Sequence, residues 1–216
     1  MILFKAAYQK GPYFYYHLLS GSDLPIKTNN YIHNYFADNC GKEFIRFQSP
    51  GINCLDRVRY YHFFQEYRGR DDKSPLICII EGLSIFVQRI MGINRHKNIN
   101  FYKGTNWVSV TNDFVKELLK HEGWIKDTFR YTLCCDEVYK QTFAMRYGFT
   151  ESLFDKNFDD DPNAIQRLID WKRGNPYIWT LSDKEEINSS KMLFARKFNE
   201  IIDREIIKYV ETLASR

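Results

Sequence analysis

Cys135-Asp136-Glu137 places two carboxylates side by side ahead of a helical run. Asp136 suits an N-cap, and a helix start favours negative charge. A Glu137 carboxylate facing a cleft can act as general base; the plainer reading is that both acids only stabilise the helix end. Arg196-Lys197, preceded by Lys172 and Arg173, offers cations that can grip a diphosphate or form a solvated face. Ser20-Gly21-Ser22-Asp23-Leu24-Pro25 follows a ring-rich run and precedes a helix. Loops past strand ends bind ligands in open α/β sheets, although Asp23 can equally close a turn on its own backbone. Trp107, in Lys103-Gly104-Thr105-Asn106-Trp107, can stack on a sugar ring or fill the core. Asp159-Asp160-Asp161 has the spacing of a metal-binding D-x-D, but Pro162 at a first helical position makes Asp161 an N-cap. The five histidines are scattered and suggest no metal site.

The elements that must position these residues alternate between strand and helix, which predicts an α/β class and one domain over residues 1–216. A helix over 2–9 ends at Gly11-Pro12, and a buried strand covers Tyr13 to Leu19. Thr28 caps a helix carrying Tyr31, Ile32, Tyr35 and Phe36. Glu43 to Phe47 and Val58 to Phe64 read as strands. Ser74-Pro75 opens a helix with apolar residues at 76, 79, 80, 83, 87 and 90, stopped by Gly92. One or two strands surround Gly104. Thr111 caps a helix with Phe114, Val115, Leu118 and Leu119 inward and Gly123 past its end. A further helix begins near Asp136, Ser182 and Glu185 form a capping box, and the last helix carries Ile202, Ile206, Val210 and Leu213.

The chain has 216 residues, 44% hydrophobic and 17% aromatic, which excludes a disordered or collagen-like polymer and supplies a ring-rich core. Its net charge of +4 is mild, and no Lys/Arg run marks a nucleic-acid binder. The stretch 75–92 is too short and too polar to span a bilayer. Five cysteines with no C-x-x-C pair suggest neither a disulfide framework nor a zinc site, and adjacent Cys134 and Cys135 read as small packing residues. No signal peptide is read at the start, so a cytoplasmic location is expected.

Six pieces in order carry a resemblance: YYHLLSGSDLPIKT (15–28), KEFIRF (42–47), KGTNWVSVT (103–111), CDEVYKQT (135–142), RLIDW (167–171) and LFARKF (193–198). Together they resemble the core-2/I-branching β-1,6-N-acetylglucosaminyltransferases and the related peptide O-xylosyltransferases, bacterial members especially. The resemblance implies a GT-A-type, Rossmann-like fold and inverting, metal-free transfer of GlcNAc or xylose from a UDP-sugar to a glycan or peptide hydroxyl. It makes Glu137 the base, with Asp136 beside it among the substrate-binding residues. It puts Ser20, Gly21 and Asp23 at the donor, Trp107 near the acceptor, and Lys197 on the UDP phosphates. Spacing puts Gly174 on the second phosphate position; Arg173 is chosen there, with Lys172 and Arg196 as substitutes. No cofactor beyond the donor is expected. The chain opens inside the helix before the first piece, so part of the family's N-terminal nucleotide-binding segment is expected to be missing. A non-catalytic remnant that binds glycan or a partner protein is the alternative. A glycoside hydrolase is weaker, since adjacent carboxylates do not flank one bond. The expected setting is surface-polysaccharide synthesis by an enzyme docked at the inner membrane face.

Overall fold

The computed structural model describes residues 1–49, 55–65 and 75–215. Its strands form two small three-stranded sheets surrounded by helices, a mixed α/β architecture. In the first sheet, β1 (Tyr15–Leu18) and β3 (Phe44–Phe47) flank β4 (Gly104–Thr111), both antiparallel to it. In the second, β6 (Phe194–Arg196) lies between β2 (Asp23–Pro25), antiparallel, and β5 (Arg167–Ile169), parallel. β5–β6 is thus the one parallel pair among these strands, and the sheets are not a doubly wound parallel array.

Capping chemistry sets several helix starts as the sequence predicts. Thr28 accepts the Tyr31 N–H to begin α2 (Asn29–Asp38), and Thr111 accepts the Phe114 N–H to begin α5 (Asn112–Lys120). α1 (Ile2–Lys10) stops at Gly11. Other expectations are corrected. Val58 to Phe64 is not a strand. α3 (Leu55–Arg59) runs into it, burying Val58, and His62 then docks through its N–H on the Tyr131 carbonyl. Gly123 ends nothing, because the chain passes through His121 into α6 (Glu122–Phe129). The capping box is Thr180 with Asp183, not Ser182 with Glu185, and it opens a 3₁₀ turn, Leu181–Asp183, ahead of α8 (Lys184–Ser189). α9 (Arg204–Ala214) starts after an Asp203 cap and buries Ile206 and Val210, while Ile202 stays exposed outside it.

α4 (Pro75–Ile90) forms where the sequence places it; Ser74 lies outside the described residues. Its apolar stripe faces out, and of its polar residues Glu81 and Gln88 face in. Glu81 and Gln88 are buried, whereas Leu76, Ile79, Leu83, Phe86 and Ile90 are each about 60–70% exposed. The inward choice follows from specific partners. Glu81 Oε1 lies 2.7 Å from His62 Nδ1. Gln88 accepts the Tyr61 N–H at 2.7 Å and donates to the Tyr61 carbonyl at 3.0 Å. Buried polar groups demand such partners.

One core packs β1, β3 and β4 against α5 and α7 (Tyr139–Arg146). A second gathers Ile26, Trp179, Ile187, Ile206 and Val210 under β6. Phe36, Phe44, Leu193 and Phe194 bridge the two. Buried Arg167 also ties sheet to sheet, donating to the carbonyls of Ile165, Leu18 and Val108 at 2.5, 3.3 and 3.1 Å.

Candidate active site

β4 carries the candidate residues along its length. Its pairing with β3 passes from Ile45–Val108 to Phe47–Gly104, so two steps of β3 face four of β4. Such a bulge re-aims side chains, and here it releases Asn106 and Trp107 in the middle of the strand. Gly104 is required at the edge of this irregularity: a Cβ there would lie 1.9 Å from the Arg46 carbonyl oxygen.

Asn106 meets the carboxylate turn. Cys135–Glu137 forms a 3₁₀ turn entered through Cys134 at φ 49°. Asp136 does not cap α7, which begins after Val138 with no side-chain cap. Instead the Asp136 carbonyl accepts from Lys140 Nζ at 2.6 Å, and the same ammonium donates to Asn106 Oδ1 at 2.8 Å. Lys140 is fully buried, and burial, partly offset by Asp136, lowers its pKa to about 8. A buried ammonium needs partners of this kind, so Lys140 fixes the turn against the strand. Gln141, next along α7, donates to the carbonyls of Thr105 and Arg46 and braces the same strand ends.

Glu137 is left with its side chain 38% exposed. Arg57 Nη1 of α3 donates to its Oε2 at 2.7 Å, and Lys103 Nζ lies 3.6 Å away. The carboxylate is therefore reachable, with both cations on its Oε2. Sequence reasoning missed Arg57, Lys103, Asn106 and Lys140 as partners. Lys140 carried a signal, since its i,i+4 spacing from Asp136 suits a helix turn; Arg57, 80 residues from its partner, carried none.

Trp107 marks the second cluster. The Arg196 guanidinium carbon lies 4.8 Å from the centre of its ring. Arg196 Nη1 donates to Ser20 Oγ, to Ser22 Oγ at 3.1 Å and to Asp23 Oδ1 at 2.8 Å. Asp23 is buried, and its other oxygen accepts the Ser20 N–H at 2.6 Å. It thus serves both as turn former and as counter-ion to Arg196. Above Gly21 a Cβ would meet nothing within 4 Å, so that loop tip is open. Lys103 and Trp107, which touch the two clusters, are four residues apart, no more than roughly 13 Å of strand.

The cations expected on the phosphates differ in setting. Lys197 is partly exposed, and its ammonium has no partner among the described residues. Arg196 is neutralised by Asp23. Arg173 stands apart as a structural clasp. It binds Asp170, Asp183 at 3.0 Å and Glu186 at 2.8 Å, and stacks 4.2 Å from the Tyr177 ring centre. An anion held by Arg173 would meet three carboxylates already bound there. Gly174 has a local reason: a Cβ would lie 2.7 Å from Tyr177 Cα. Lys172 is exposed. Asp159–Asp161 are committed within the protein. Asp160 pairs with Arg46 at 2.9 Å, Asp159 accepts the Asp161 N–H, and Asp161 caps the 3₁₀ turn Pro162–Ile165. Among the described residues no three His, Cys, Asp or Glu side chains converge as a metal site would need.

A cavity of about 450 Å³ opens at the far end of β4, lined by Tyr13, Phe14, Glu43, Thr111, Asp113 and Phe149 among others. Glu43 is 1% exposed. It accepts the Thr111 hydroxyl at 2.5 Å and the Thr111 N–H at 2.9 Å. Burial raises its pKa to about 7, against those two hydrogen bonds.

A mixed α/β fold carrying an accessible carboxylate turn and a Ser/Asp loop locked to a C-terminal arginine fits a sugar-transferring enzyme. The Core-2/I-Branching enzyme family model matches residues 2–192, and the chain belongs to that family of GT-A-like glycosyltransferases. A comparison with curated proteins gave no match. The family assigns glycosyl transfer in general, with a sugar donor and a glycan acceptor.

Proposed function

We propose that the chain is an inverting, metal-independent transferase that moves GlcNAc or xylose from a UDP-sugar to a hydroxyl of a glycan or peptide, in surface-polysaccharide synthesis at a cytoplasmic membrane face. The observation that carries the reading is Glu137, an accessible carboxylate on a turn pinned to β4 through Lys140. In this reading Glu137 takes the proton of the acceptor hydroxyl, and the freed oxygen attacks the anomeric carbon. The bond from that carbon to the UDP oxygen breaks with its electron pair, and Lys197 meets the charge left on the diphosphate. Electrostatic stabilisation of this kind is a large catalytic term. The acceptor hydroxyl reaches Glu137 by sharing or displacing the Arg57 contact. Lys103 then holds the carboxylate through the exchange.

Transfer from UDP-GlcNAc and UDP-xylose, measured with and without saturating EDTA, tests this. Turnover that survives EDTA and vanishes in Glu137→Gln supports the reading; strict Mn²⁺ dependence overturns its metal-free part. A second reading, sugar binding without turnover, draws on Arg196 and Arg173 being already neutralised by carboxylates. Calorimetric titration with UDP separates the two, since only the transferase binds it.

A further inference from the structure

The cavity at the Thr111 end of β4 has no part in the transfer reading, yet hydrogen bonds fix its walls. Glu43, at its floor, holds several of them. Its carboxylate takes the Thr111 hydroxyl and N–H. Its own N–H donates to the Ser152 carbonyl at 2.7 Å, and its carbonyl accepts the Phe154 N–H at 2.9 Å. The Tyr15 hydroxyl donates to the Asn39 carbonyl at 2.6 Å and accepts the Lys42 N–H at 3.2 Å, which sets the Cys40-Gly41 wall. The Asn112 N–H donates to the Phe14 carbonyl at 3.3 Å and ties the segment bearing Tyr13 and Phe14 to the start of α5. The hollow is thus preformed. Its volume of about 450 Å³ lies within the roughly 300–1,000 Å³ of small-molecule sites.

The lining groups that the fold leaves unbonded define the ligand. Tyr13 and Phe14 carry rings on residues that are 48% and 85% exposed. The Tyr13 hydroxyl, the Asn112 amide nitrogen and the Asp113 carboxylate have no hydrogen-bond partner among the described residues; Asn112 Oδ1 is taken by the Tyr16 hydroxyl at 3.2 Å. No Lys or Arg is among the lining residues, and Asp113 repels anions, so a nucleotide or a phosphate does not fit. An ammonium would satisfy Asp113 but offers no acceptor to the Asn112 amide. A sugar ring meets every demand: its hydroxyls both donate and accept, and its C–H face packs on aromatic rings. From these groups we propose that the cavity is a second sugar site, which binds an uncharged pyranose residue of a glycan. The eight residues of β4, roughly 23 Å of strand, separate it from the carboxylate turn, so the sugar held here is not the one that reacts. The inference draws on the family's use of glycans and not on the choice of Glu137 as base.

Saturation-transfer NMR titration of the full chain tests this. The probes are the methyl glycosides of glucose, galactose, mannose and N-acetylglucosamine, with choline as the cationic control. At least one glycoside is expected to bind. Phe14→Ala and Asp113→Asn, both at exposed positions, should each weaken that binding by about tenfold or more with unchanged melting temperature, whereas Glu137→Gln should leave it as it is. Two independent variants guard against a fold defect peculiar to one. Absence of binding by every glycoside overturns the proposal. Binding that Glu137→Gln abolishes and both cavity variants keep puts the sugar at the carboxylate turn and overturns it as well. Choline that binds and is lost in Asp113→Asn, where no glycoside binds, assigns the cavity to an organic cation and overturns it too. No UDP-sugar enters the assay, so its failure leaves the transfer reading intact, and an inactive chain that still binds sugar through Phe14 leaves this one intact.

Discussion

The two ends of β4 hold glutamates in opposite settings. Beside the Gly104 end, Glu137 is half-open to solvent and faced by Arg57 and Lys103. At the Thr111 end, Glu43 is sealed and bonded to one threonine. A perturbed carboxyl in a cavity often marks a reactive site, and by that sign alone Glu43 is the candidate base. Its oxygens, however, are spent on the N–H and hydroxyl of Thr111, and among the described residues no cation or second acid is bonded to it. Under the proposed mechanism, reach and neighbours mark the working carboxylate, and a raised pKa does not.

The sharpest way to break the comparison is at Glu137. Glu137→Gln should lower transfer by about 10²–10⁴-fold with the melting temperature unchanged, the usual weight of general-base assistance. Native turnover in this variant would remove Glu137 from the chemistry. At the other end the effect is on stability. The Glu43 carboxyl has its pKa raised from 4.5 to about 7, so the folded chain holds a proton that the unfolded chain has released. Stability is therefore expected to fall as pH rises between those values, by about 3 kcal/mol in all, and to level off above. Melting curves from pH 4 to 8 should show this fall in the wild type and lose it in Glu43→Gln, with transfer unaffected; an identical slope in the variant would refute the assignment.

Smaller effects sharpen the contrast. Lys140→Met strips the Asp136 carbonyl and Asn106 of their donor, at a cost of about 1–3 kcal/mol. It should reduce transfer more than UDP affinity, because the turn and not the donor site is released. Thr111→Val removes a cap and the hydroxyl donor of buried Glu43, and should destabilise by about 1–3 kcal/mol while sparing turnover, seen by urea unfolding beside the transfer assay. Arg173→Gln should leave UDP affinity unchanged by calorimetry; a marked drop would restore Arg173 to the phosphates.

What was legible in the sequence was local. Thr28 and Thr111 announce helices because a cap and its recipient N–H lie three residues apart. The order of the six pieces led to the family without any single decisive motif. What stayed hidden depends on partners far along the chain. The ring-rich run after Val58 reads as a strand by propensity, yet its backbone bonds go to Tyr131 and to the side chain of Gln88. The α4 stripe gave the right periodicity and no direction, since only the buried partners of Glu81 and Gln88 decide which side turns in. The grip of Arg57 on Glu137 and the three-acid clasp on Arg173 have no signature in spacing.

Arg167 has a consequence for how the two sheets can move. One guanidinium bolts the edge of the second sheet to two strands of the first through the Leu18 and Val108 carbonyl oxygens, while a third bond, to Ile165, fixes its own local turn. A clam-like opening between the sheets would strand the Leu18 and Val108 oxygens without that donor, so Arg167 works against such an opening. Lysine at this position, one point charge in place of a planar fork, could not satisfy all three directions at once, and the rivet would loosen before the strands themselves came apart.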